Sequence, residues 1–99
     1  MPNGEVLALD QDMTLSRAEF LRSLPRAVDE VPFHIDGADI RPLAEHPRWR
    51  IVLEPLSDLV IGAIALPRHR VRIYLGGSDA EEVRRFLARF ELYFRRGGG

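Results

Sequence analysis

The chain has no cysteine, which removes disulfides, thiolate nucleophiles and every zinc or iron–sulfur site built on that residue. It has no lysine either. All fourteen basic side chains are arginine, so neither a Schiff-base lysine nor a phosphate-loop lysine is available. No hydrophobic run is long: the longest, Leu59 to Leu66, falls below half of the roughly 20 residues of a spanning helix, and a membrane is set aside as a partner. The opening residues MPNGEVLALDQD have neither the basic nor the apolar region of a secretory signal, so a cytoplasmic location is expected.

What is present fits one domain. The length is 99 residues and the hydrophobic share 45%, enough for a single core. The net charge of −1 hides an asymmetry: residues 1–47 carry nine acids and four arginines (−5), whereas residues 48–99 carry six acids and ten arginines (+4). Such a charge dipole can orient a partner or a second copy, but a net-neutral domain is not a typical nucleic-acid binder.

Residues 1–13 show no sustained period and open with Pro2, Asn3 and Gly4, which predicts a flexible leader. Ser16 and Glu19 form a capping box, with Leu15 and Phe20 as its hydrophobic staple. A helix is therefore predicted over 16–24, ended or kinked at Pro25 or running on to Val28. Val31, Phe33 and Ile35 alternate with polar residues as an edge strand, and 37–47 reads as a loop containing Pro42 and Pro47. From Arg48 the period is two, with Trp49, Ile51 and Leu53 on one side. Pro55 to Leu59 then predicts a hairpin connection, Val60 to Leu66 a central strand covered on both faces, Pro67 to Arg70 a turn, and Val71 to Leu75 the last strand. Ser78 and Glu81 form a second capping box, and Val83, Phe86, Leu87, Phe90 and Phe94 mark the apolar stripe of a second helix. Arg95 and Arg96 complement its C-terminal dipole, and Gly97–Gly99 predicts a flexible tail.

The expectation is one α+β domain over 14–96. It is a two-layer sandwich of the form α-β-β-β-β-α, with an antiparallel meander sheet and both helices on one face.

Candidate chemistry is sparse. The four serines each have a capping, turn or helical role, and none lies in a G-x-S-x-G pattern. His34, Asp36, Asp39, Glu45 and His46 fall within thirteen residues. Zinc or enzymatic chemistry on His34, Asp36 and His46 is therefore one alternative, although the spacing matches no established motif. No catalytic residue, metal ligand or cofactor is assigned. The arginines are more suggestive. Arg48 and Arg50 share the parity opposite Trp49, Arg70, Arg72 and Tyr74 take the matching parity on the last strand, and Arg68 and His69 extend the strip. With Ile61, Ala63 and Ala65 between them, these residues describe a shallow apolar strip flanked by arginine. The preferred reading is a non-catalytic interaction module that binds a protein partner, or itself as a homodimer, through that face. Anion or nucleic-acid binding through the same arginines is the alternative.

Overall fold

Reciprocal caps start both helices. Ser16 N–H donates to Glu19 Oε1 at 2.9 Å and Glu19 N–H to Ser16 Oγ at 3.1 Å, which opens α1 (Arg17–Ala27). The helix continues past Pro25 and closes with Val28 N–H on the Leu24 carbonyl. In α2 (Ala80–Phe94) the box sits one residue beyond the expected Ser78–Glu81 pair. Glu82 N–H donates to Asp79 Oδ1 at 2.8 Å and Asp79 N–H to Glu82 Oε1 at 2.9 Å. Aspartate caps as well as serine does, so SDAEE allows both registers.

The computed structural model describes residues 4–94. Arg95, Arg96 and the Gly97–Gly99 tail lie outside the described residues, as do the first three of the leader. Five antiparallel strands form one sheet: β1 (Val6–Met13), β2 (Phe33–Asp36), β3 (Asp39–Pro42), β4 (Trp49–Ile61) and β5 (Ile64–Leu75), in the order β1-β5-β4-β3-β2. From α1 to α2 the chain is the expected α-β-β-β-β-α meander in an α+β fold. One core holds it together. Ile40, Trp49, Ile51, Leu53, Val71, Ile73 and Leu75 cover one sheet face, and Phe20, Leu24, Ala27, Phe90 and Phe94 from both helices pack onto that same face. The Phe20, Phe90 and Phe94 rings cluster with centroids 4.5–6.3 Å apart.

Three expectations about the strands are corrected. The predicted leader contains β1, which pairs with β5 from Val6↔Leu75 to Met13↔His69 and buries Met13. The predicted loop at 37–47 contains β3, a four-residue strand anchored by the fully buried Ile40. The three strands expected between Arg48 and Leu75 are two. β4 and β5 run straight through the Pro55–Leu59 and Pro67–Arg70 segments and turn once, at Gly62-Ala63. Gly62 has φ +60°, the glycine-first conformation of a two-residue hairpin loop, and Gly37 at +64° makes the same Gly-Ala loop between β2 and β3. Gly62 therefore makes a turn and does not admit a helix to the sheet, since among the described residues no heavy atom lies within 4 Å of where a Cβ would stand.

The physical cause of the misreading is a β-bulge. Leu56 pairs with Arg68 and Leu59 with Leu66, so Ser57 and Asp58 together face Pro67. The extra residue inverts the parity of β4. Even positions up to Leu56 face away from the helices, and beyond the bulge Leu59 and Ile61 do. Proline opposite a bulge is tolerated because the ladder is already interrupted there.

The bulge also marks where the sheet ends and an arm begins. β1 accompanies β5 only as far as His69, and β3 accompanies β4 only at Ile51 and Val52. Residues 56–68 therefore project as a two-stranded hairpin with no strand on either flank among the described residues, and the molecule measures 45 × 26 × 23 Å. The apolar Leu59–Leu66 run forms the tip of this arm and is not a buried central strand.

Candidate interaction surface

On β5 the odd residues Val71, Ile73 and Leu75 enter the core, so Arg68, Arg70, Arg72 and Tyr74 line the outer face. Across from them on β4 lie Leu56, Glu54, Val52 and Arg50. On the other flank, β1 sets Asp12 opposite Arg70 and Asp10 opposite Arg72. Three strands thus bring arginines and acids into alternation on one open sheet face.

The side chains pair diagonally. Arg70 donates to both oxygens of Asp10, at 2.9 and 2.8 Å, and Arg68 Nη1 lies 3.7 Å from Asp12 while its Nε donates to the Ser57 carbonyl at 2.9 Å. Arg72 bonds Glu54. Arg50 donates two bonds to Glu5 at 3.2 Å, lies 3.7 Å from Asp39, and covers the Tyr74 ring with its Cζ 4.2 Å from the centroid. The hydrogen bond from Arg70 holds the Asp10 carboxyl below the ordinary carboxylate range, and Asp10 in turn raises Arg70. The bond to Glu5 likewise raises Arg50.

The strip is therefore an ion-pair ladder. Asp10 and Asp12 from the acid-rich first half of the sequence neutralise Arg70 and Arg68 from the arginine-rich second half across the β1–β5 seam.

The structure brings together Arg50, Arg68, Arg70, Arg72 and Tyr74, but not the other two expected members. His69 is in strand, on the core side, 9% exposed, with Nδ1–H donating to the Leu15 carbonyl at 2.9 Å. Arg48 sits before β4 at the far end of the sheet, where its carbonyl accepts from Gly76 N–H at 2.8 Å. There it helps rim a shallow hollow of about 590 Å³ with Arg85 and Arg89, over Val28, Trp49 and Phe86. Arg89 is engaged by the Arg26 carbonyl and Asp29, and Trp49 Nε1, sealed away from solvent, has no hydrogen-bond partner among the described residues.

The expected apolar strip between the arginines is displaced along the same face. Ile61 and Ile64 form one cross-strand pair on the outer face and Leu59 and Leu66 another, continuing the ladder's line into the arm. Val60 and Ala65 lie on the opposite side. Val60 at 66%, Ile61 at 58% and Ile64 at 58% are more than half exposed, and Leu59 is exposed at 38%. Sequence reasoning missed the partner acids Glu5, Asp10 and Asp12. Their signal was the alternation of Leu9, Gln11 and Met13 with Asp10 and Asp12.

The histidine and acid set of the zinc alternative is not assembled. Asp39 pairs with Arg41 and Arg50, and among the described residues no three His, Asp or Glu side chains are grouped as metal ligands. Among the described residues no helix is long and apolar enough to cross a membrane. Comparison of the chain with protein-family models, with curated proteins and with solved structures gives no match.

Proposed function

We propose that this chain is a non-catalytic interaction module that binds protein through the outer face of β4 and β5, with the Leu56–Arg68 arm as the contact. The supporting observation is the exposure of Leu59, Ile61 and Ile64 on that face within six residues of sequence. A continuous apolar run normally signals a strand covered on both faces. Here it lies where the chain covers neither, and an exposed apolar patch of this kind marks an interaction site. The ladder beside it gives direction: its alternating charges reject a partner of the wrong register at close approach.

Anion or nucleic-acid binding through the same arginines finds less support. Arg50, Arg68, Arg70 and Arg72 already hold carboxylates, and an incoming phosphate would have to displace them. Tyr74, the one aromatic on this face among the described residues, is covered by Arg50.

A photo-crosslinking side chain placed in cells at Ile61 or Ile64, with Arg22 on α1 as control, tests the reading. Protein adducts from the arm positions and none from the control are expected. Adducts to nucleic acid, or equal yields from arm and helix, would overturn it.

A further inference from the structure

Resting on that reading, we infer that the arm's occupant is a second copy of this chain, and that two arms pack outer face to outer face about a two-fold axis.

Chemistry narrows the occupant first. From Leu59 to Leu66 the arm carries no charge, no hydroxyl, no amide side chain and no aromatic ring. Recognition of the tip is therefore by apolar packing alone. At its base Arg68, Arg70 and Arg72 face Asp12, Asp10 and Glu54, a balanced set. A strongly charged partner gains nothing from a neutral base, whereas a second copy brings the same balanced set and is not repelled. A lipid surface is disfavoured on the same grounds, because membrane-seated loops use Trp or Tyr belts and unpaired basic residues against anionic headgroups.

Symmetry comes next. The outer face of the tip is built from two cross-strand pairs, Leu59↔Leu66 and Ile61↔Ile64, so its two strands present nearly equivalent aliphatic rows. Such a surface is self-complementary under a two-fold rotation, the commonest symmetry of soluble oligomers. The backbone edges are guarded against open-ended pairing by Pro55, Pro67 and the bulge at Ser57-Asp58. Face-to-face packing of side chains remains, in the manner of stacked sheets.

Area sets the strength of the contact. On the outer face Leu59, Ile61 and Ile64 present on the order of 300 Å². Two copies, with the partly buried Leu56 and Leu66 added, cover roughly 800 Å² in total, in the size range of transient contacts. The contact is therefore that of a reversible dimer that forms as concentration rises.

Light scattering on the full chain at tens of micromolar tests this, with the double variant Ile61→Asp/Ile64→Asp alongside. Both isoleucines are exposed in the single chain, so the variant folds, as far-UV circular dichroism will verify. The expected result is a wild-type mass that rises with concentration to twice 11.3 kDa and a variant mass that stays at 11.3 kDa, with dimer association weakened on the order of a hundredfold or more. A monomeric wild type overturns the second-copy inference while leaving a different protein partner open. A dimer that survives in the variant removes the arm as the contact, and with it the proposed function. A monomeric wild type that co-sediments with phosphatidylserine-containing vesicles, and loses that binding in the variant, assigns the arm to lipid and overturns both.

Discussion

Ile51 and Ile61 lie on the same strand, ten residues apart, and truncating each to alanine should have opposite consequences. Ile51 is fully buried between the sheet and the helices. Removing its three outer carbons leaves a cavity walled by well-packed neighbours, and the cost is about 3 kcal/mol within the usual range for such changes. In a domain of this length that lowers Tm by roughly 12–24 °C. Ile61 is 58% exposed, and in the isolated chain its truncation removes little from any core. In sub-micromolar protein the change should stay within about 0.5 kcal/mol, as for other surface substitutions. At higher concentration the two variants separate further. Association stabilises the folded chain by mass action, so the wild-type urea midpoint should rise with protein concentration. The Ile51→Ala midpoint should rise in parallel, and the Ile61→Ala midpoint should stay flat. Urea titrations followed by Trp49 fluorescence at several concentrations measure all of this. A loss of about 2 kcal/mol or more for Ile61→Ala in dilute protein would place the arm in the core and refute the division between sheet and arm.

Further outcomes follow from the ladder and the core. Because Arg70 depresses Asp10, the contribution of that carboxylate is complete above its unfolded pKa, about 4, and is lost as pH falls through the lower folded value. Thermal melts should therefore show Asp10→Asn less stable than wild type near neutral pH, with the gap closing as pH falls below the ordinary carboxylate range. A double-mutant cycle on Arg72 and Glu54 should return a coupling of about 0.2–1 kcal/mol that shrinks in high salt, since both side chains reach solvent. His69→Leu leaves the Leu15 carbonyl without its donor and should cost about 1–3 kcal/mol in urea unfolding.

The parts legible in the sequence were those fixed locally. Ser16 with Glu19 announced α1 because a capping box lies within one turn, and the stripe from Val83 to Phe94 announced α2 because its period is internal to the helix. The arginine parity was legible for the same reason: Arg70, Arg72 and Tyr74 alternate with Val71, Ile73 and Leu75. What failed depended on distant partners. β1 is a strand because β5 offers it a ladder some sixty residues away, and its own opening Pro-Asn-Gly reads as loop. β3 has four residues and one buried anchor, too short a segment to show a period. The arm was misparsed because a bulge and a turn begin alike in sequence: Pro55, Ser57 and Asp58 favour either, and only the register distinguishes them. His69 was misplaced by the same error, since a residue assigned to a turn has no parity to send it into the core.

The most direct test of the arm as the association element is amide hydrogen exchange along β4 and β5 as protein concentration is raised. Amides from Trp49 to Leu53 and Val71 to Leu75 should be protected at every concentration, because they belong to the core of the single chain. Amides from Leu56 to Arg68 should exchange quickly in dilute protein and become protected as concentration rises. Arm amides whose exchange is independent of concentration, whether fast or slow, would contradict association of this chain through the arm.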